Sequence, residues 1–498
     1  MGNALDNLQE HFRKIHRLSH LAAMGQWDQA AMMPPGGNQA RSEALAELAV
    51  IIHREKTHPQ VGEWLDQADS GALDTDSKAS LREMRRVWQQ ATVIPEALVQ
   101  ARSLAGSACE HAWRTQRKEN DWQGFAVNLE TVVKLSREEA QIRAESMGCS
   151  PYDALLDLYE PGMSCVTLDR IFSDVKSWLP SLIQSVCEQQ KQDVVLTPKG
   201  PFAIEKQAVL GRKIMTLLGF DFDHGRLDVS VHPFCGGVPE DVRITTRYNE
   251  DDFTQALMGV IHETGHARYE QNRPAATLGL PVSESRSMGV HESQSLFFEM
   301  QLGRSPAFLS LIAPWIVESL ALGDDPALDL DNLCRIYNRV SPGFIRVDAD
   351  EVTYPAHIIL RYEIERDLVE GRIEVGDIPG LWDEKMQASL GLDTQGNHRD
   401  GCMQDIHWTD GSFGYFPSYT LGAMVAAQLF AVLRRQQPDV DAQIREGNLQ
   451  GVFDWLRNSI WQQGSRLETD ALIQSATGEA LNPAYFRQHL EQRYLKGA

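Results

Sequence analysis

Apolar residues recur at three- and four-residue spacing along most of this chain, the mark of helices with one buried stripe. The pattern predicts helices near 4–25, 38–57, 76–92, 95–117, 123–147, 168–190 and 203–218. It resumes over 251–272, 285–302, 306–322, 329–338, 355–370, 377–390, 418–436, 440–446, 450–460 and 468–475. Gly and Pro stand at the joins, in Pro34-Pro35-Gly36-Gly37, Pro161-Gly162, Gly200-Pro201 and Pro342-Gly343. One stretch departs from helical spacing. Residues 227–232 (LDVSVH) and 242–248 (VRITTRY) alternate and are rich in Val, Ile and Thr, which predicts a short β ribbon about the turn-rich HPFCGGVPED. No repeat and no low-complexity linker divides the chain. One large, mostly α-helical body is expected over 1–498, the alternative being two helical lobes joined by several crossings of the chain.

Composition narrows the function. Of 498 residues, 42% are apolar and 23% charged, ordinary for a chain with a real core. The net charge of −22 speaks against a nucleic-acid partner and an anionic membrane, both of which need a basic footprint. The opening MGNALDNLQEHFRKIHRLSH has no apolar core of signal length, and Asp6 stands where a myristoylation signal needs Ser or Thr. No run of roughly 18 apolar residues could span a bilayer. Cysteines 109, 149, 165, 187, 235, 334 and 402 are scattered without a CxxC pair, as reduced thiols are. A cytoplasmic enzyme is the expectation.

The candidate chemistry lies in VIHETGH, residues 260–266. On a helix, residues four apart project from one face, so His262 and His266 can meet one Zn²⁺ at about 2.0–2.1 Å. Glu263 lies roughly 100° further round, too far to ligate in the same way but within reach of a water beside the ion. Phe253, Leu257, Val260 and Thr264 form a stripe on the opposite side from the histidines, which argues against two core histidines. A catalytic zinc needs a third protein ligand and an open position. The next helix offers His291, Glu292 and Glu299.

Several motifs in order make the chain recognisable. It resembles the carboxypeptidase Taq family of metal-dependent carboxypeptidases, from QWDQAAMMPPGGNQAR (26–41) through YEPGMS (159–164) to GYFPSYTLG (414–422). The family's HPF motif stands here as His232-Pro233-Phe234, and its DxRxT motif as Asp241 to Thr245. HExxH is His262 to His266, HES/GQ is His291 to Gln294, I/VRxxAD is Ile345 to Asp350, and GxxQDxHW is Gly401 to Trp408. The resemblance implies that Glu292 is the third ligand. It also implies a homodimer, zinc or sometimes cobalt, a deep groove beside a small sheet, and broad preference at the C-terminal residue.

Within that frame Glu263 is expected as general base and acid. Tyr415 and Tyr419, then His407 and His232, are candidates to stabilise the oxyanion. Arg346 is the first choice to clamp a substrate's free carboxylate and Arg243 the second, because a guanidinium pairs bidentately with both oxygens. Asp405 is read as orienting His407 or capping a turn. The strand of Asp241–Thr245 is expected at a sheet edge, where it could hold an extended peptide. Helices up to about residue 120 are expected to roof the groove and admit only unfolded peptides. Two rivals stand beside this reading: a metallo-oligopeptidase of endo- or dipeptidyl type, and a non-catalytic helical scaffold.

Overall fold

Where the sequence spaces its apolar residues helically a helix forms, from Ala4–Ala31 to Thr469–Thr477, and most of these helices turn that stripe inward; Asn38–Lys56 is the exception, with no fully buried residue. The ends are fixed by side-chain caps. Asp74, Asp121, Ser164, Ser287 and Ser305 each accept the backbone N–H three residues on, satisfying a donor the helix itself leaves free. The structure is a computed structural model and describes residues 3–69, 71, 73–230, 233–321, 323 and 325–495.

Three helices escaped the periodicity: Pro59–Asp69, Pro151–Leu156 and Ala484–Tyr494. The last buries only Phe486, Leu490 and Tyr494, a stripe too thin to stand out among its charges. The expected helix over 285–302 is two pieces. An α-helix, Met288–Leu296, runs directly into a π-helical turn, Phe297–Gly303. Such turns are uncommon and cluster at functional sites.

The ribbon is a three-stranded sheet. Strands β1 (Gly225–Val229), β2 (Cys235–Val238) and β3 (Asp241–Thr246) lie in the order β1-β3-β2. The two segments read as a ribbon do pair, but in parallel, with Arg226 opposite Arg243 and Leu227 opposite Ile244. The hairpin partner of β3 comes instead from the stretch read as turn. There Gly237, at φ 99°, lets β2 lie close against β3; a Cβ would meet the Asp241 carbonyl oxygen at 2.1 Å. The strand of Asp241–Thr245 is therefore central and bonded on both sides, so it offers no free edge to a peptide.

Val242 and Ile244 are fully buried against Val260 and Ala267 of helix Thr254–Glu270, which seats that helix on the sheet. Its buried residues run round almost the whole circumference, well beyond the single stripe the sequence suggested. Helix Pro417–Gln436 belongs to both large cores and is buried along most of its length. The N-terminal helices pack a smaller core of their own, around Leu8, Phe12, Val61, Leu65 and Met84, that meets Leu280 and Val282. Among the described residues no helix is long and apolar enough to cross a membrane.

Candidate active site

Helix Thr254–Glu270 starts where Asp252 Oδ1 accepts the Thr254 N–H at 2.8 Å, and it presents His262 and His266 one turn apart. Helix Met288–Leu296 crosses it closely. The crossing needs Gly265, where a Cβ would lie 2.5 Å from the Gln294 carbonyl oxygen and 2.7 Å from Ser295 Cα. Gly265→Ala should therefore push the two helices apart, cost about 1–3 kcal/mol of stability and weaken metal binding. A thermal melt and a zinc titration check this; an unchanged melt would mean the backbones have room to spare.

This packing gathers three donors. One ligand atom each from His262, His266 and Glu292 lies within 4.8 Å of the others. His266 Nε2 is 3.4 Å from Glu292 Oε2. Donors held at about 2.1 Å around one ion stand about 3.4 Å apart at the tetrahedral angle, so the pair is spaced for a shared ion.

The two alternatives considered for the third ligand face outward and support the donors. His262 Nδ1 bonds Glu299 Oε2 at 2.9 Å, and Glu299 Oε1 accepts from Arg304 Nη2 at 2.6 Å. His262 therefore keeps Nε2 for an ion, the arrangement in which a carboxylate sets an imidazole's tautomer and direction. His291 Nε2 bonds Glu270 Oε1 at 2.9 Å, while its ring stacks on His266 with centroids 4.6 Å apart. Gly422 brings helix Pro417–Gln436 onto the far side of Glu292; a Cβ there would meet Glu292 Cβ and Cγ at 2.8 Å.

Charge agrees with geometry. Arg304 neutralises Glu299 and Arg273 Nη1 neutralises Glu270 Oε2 at 2.8 Å, whereas among the described residues no Arg or Lys pairs with Glu263 or Glu292. Burial alone would lower the His262 pKa; the Glu299 hydrogen bond and the Glu292 and Glu263 carboxylates outweigh it and raise it to about 10. Burial opposes the Glu292 charge, yet the His266 hydrogen bond and His262 hold that carboxyl down to about 2. Burial lifts Glu263 to about 7 and lowers His266, with His291 assisting, to about 4. Two imidazoles and the Glu292 carboxylate form a donor set suited to one divalent cation.

The remaining candidates divide between this centre and its border. Tyr415 and Tyr419 pack edge to face, centroids 5.1 Å apart, and burial raises the pKa of both above the ordinary phenol range. They keep their protons and remain hydrogen-bond donors. His407 stacks on Tyr415 at 5.8 Å, and burial takes its pKa to about 4, so it is a neutral imidazole.

Arg346 is almost fully buried. Its Nε donates to Asp405 Oδ1 at 2.9 Å and its Nη1 to the Tyr354 hydroxyl at 2.8 Å, and its guanidinium carbon lies 5.2 Å from the Tyr419 ring centre. Asp405 thus serves Arg346 and, at 3.5 Å, Arg361; it neither orients His407 nor caps the turn that follows it. Arg243 turns away into a bidentate pair with Asp241, at 2.9 and 2.7 Å, and lies 4.4 Å from the centre of the Trp27 ring. His232 lies outside the described residues. Tyr354 and Arg361 drew no notice in the sequence, since a tyrosine and an arginine on a helix are unremarkable without their partners.

Fold and site define a class: a largely helical hydrolase whose HExxH helix, lying between a small sheet and a glutamate-bearing helix, is built to hold a metal. The comparisons narrow this. The family profile described as Carboxypeptidase Taq (M32) metallopeptidase matches residues 7–494, and the chain belongs to that family and is a metallocarboxypeptidase. It is similar to Thermostable carboxypeptidase 1 of Thermus thermophilus, at 38% identity over 99% of this chain and 98% of that one. Carboxypeptidase 1 of Bacillus subtilis is 37% identical, covering 98% of this chain and 97% of its own. Among solved structures, Trypanosoma cruzi metallocarboxypeptidase 1 superposes with a TM-score of 0.97 at 49% identity, covering 99% of each chain.

Proposed function

We propose that the chain removes single residues from the free C-terminus of unfolded peptides, with broad side-chain preference, using zinc or cobalt held by His262, His266 and Glu292. The donor set of those three residues, with Glu263 buried beside it, carries this reading. When bound there, the cation supplies Lewis acidity toward a water and the scissile carbonyl. Glu263 takes the proton of the attacking water and delivers it to the departing amine. The Tyr415 and Tyr419 hydroxyls donate to the oxygen that becomes negative, with neutral His407 packed behind Tyr415. Arg346, held from behind by Asp405, receives the substrate's terminal carboxylate beside Tyr354 and Tyr419.

The covered setting supports the restriction to unfolded peptides. Trp27, on the N-terminal helix, has its ring centre 5.2 Å from the Arg226 guanidinium carbon and 4.4 Å from that of Arg243, which fastens that helix to the sheet. A cavity of about 740 Å³ lies among the N-terminal helices, lined by Lys56, Arg102, Arg143 and Leu158. The next residue, Tyr159, packs on Tyr415 with centroids 5.3 Å apart. The reading extends to a single catalytic domain, roofed by its N-terminal helices, working as a cytoplasmic homodimer. The resemblance supports this, as do seven cysteines that are all free.

The test is mass spectrometry of a short peptide, as free acid and as C-terminal amide, digested by the zinc- or cobalt-loaded protein and by a chelated control. Stepwise loss of single residues from the free acid alone, and only with metal, is the expected result. Internal cuts in both forms would replace the reading with an endopeptidase, and no cleavage of either would replace it with a scaffold.

A further inference from the structure

The last described helix, Ala484–Tyr494, ends against the π-helical turn Phe297–Gly303. Three of its side chains converge on one carboxylate. His489 Nε2 lies 2.7 Å from Glu351 Oε1, the Tyr494 hydroxyl donates to Glu351 Oε2 at 2.9 Å, and Arg493 Nη1 lies 3.3 Å from the same oxygen. Glu351 is 4% exposed, and a buried carboxylate is retained at this cost only when its oxygens are fully engaged. Arg493 reaches further. Its Nη1 donates to the Met300 carbonyl and its Nη2 to the Gln301 carbonyl at 3.3 Å.

Those two carbonyls belong to the π-helical turn Phe297–Gly303, which carries Glu299. The wider π ring is less stable than the α-helix it interrupts, so it persists where outside groups hold it. Arg493 grips the turn from one side. On the other, Arg304 bonds Glu299 Oε1 at 2.6 Å and the Tyr337 carbonyl at 2.9 Å. Glu299 faces His262 Nδ1 at 2.9 Å. An unbroken path of hydrogen bonds and backbone thus leads from the C-terminal helix to the first histidine of HExxH. Relaxation of the turn to an α-helix would rotate Glu299 off His262, since one residue of register is roughly 100°.

We propose that the C-terminal helix is a positioning element of the metal centre: Arg493, oriented by Glu351, fixes the π-helical turn that keeps Glu299 on His262. Arg493, Glu351 and Tyr494 touch neither ion nor substrate; they act through Glu299. The inference rests on the reading of His262 as a metal ligand.

Zinc affinity of the full chain tests it, measured by competition with a chelating dye and paired with a thermal melt for each variant. Arg493→Ala should weaken zinc binding about 10–100-fold, the usual effect of losing support behind a metal-ligating histidine. Glu351→Gln should act in the same direction, and Arg493→Lys, which keeps one N–H for a carbonyl, should recover part of the loss. Should Arg493→Ala fail to fold, Tyr494→Phe removes only a hydroxyl from Glu351 and should still weaken binding measurably. A folded Arg493→Ala with a lowered melting point and unchanged zinc affinity would overturn the proposal, leaving the helix a structural brace. His262→Ala separates the two ideas: if it too binds zinc normally, the assignment of the metal site is what fails.

Discussion

Glu263→Gln is expected to retain the metal and lose about 10³-fold in kcat, roughly 4 kcal/mol of transition-state stabilisation. The amide is nearly the shape of the carboxylate, and the His262, His266 and Glu292 donors are untouched, so metal content should stay at the wild-type value. What is lost is the proton acceptor. Glu263 is 7% exposed, and burial, against the opposing pull of His262, makes its carboxylate a readier proton acceptor than an exposed one. His262→Ala provides the contrast, since it should lose ion and activity together. Metal analysis beside a rate measurement reads both variants. An active Glu263→Gln enzyme would remove the carboxylate from the chemistry and leave water activation to the cation alone.

Arg346→Lys is expected to cut kcat/KM on free-acid peptides about 100-fold, or about 2.7 kcal/mol, with little change in melting temperature. Lysine keeps a cation for the buried Asp405, which spares the protein the 3–5 kcal/mol or so that an unpaired buried charge costs. It cannot keep the planar fork whose Nε meets Asp405 while Nη1 reaches the Tyr354 hydroxyl. A terminal carboxylate approaching past Tyr354 and Tyr419 would find a single donor where two parallel ones stood. The loss should appear mainly in KM for short free acids. Unchanged kinetics would move the carboxylate site elsewhere. Arg243, whose Nε and Nη2 are on Asp241 and whose face is on Trp27, would then be the next guanidinium to test.

The helices were legible because each buries a continuous stripe and the spacing of apolar residues records which face that is. Ala484–Tyr494 shows the limit: with three buried residues among charged ones, its docking depends on Glu351 and on the carbonyls of Met300 and Gln301, far away in the chain. The sheet shows another. Alternation marked β1 and β3, but pairing is a long-range choice, and two glycines in β2 hid the strand that completes it.

The HExxH pair was readable for a local reason: four residues along a helix return to the same face, whatever the rest of the chain does. Spacing did not settle the third donor, because His291, Glu292 and Glu299 leave their helix in different directions; the motif resemblance pointed to Glu292, and the crossing partner shows why that direction is inward. Packing at Gly265 and Gly422 places Glu292 beside His266, and the π-helical turn sends Glu299 to the outer nitrogen of His262. Asp405 tells the same story: adjacency suggested His407, while burial between Arg346 and Arg361 gave it to two arginines. By itself the sequence determined helix positions and the two-histidine face, since both follow from contacts within a few residues. Tertiary structure alone decided strand order and the partners of each buried charge, and it supplied the physical reason for a third donor that only family resemblance had pointed to, because those energies are settled between groups distant in sequence.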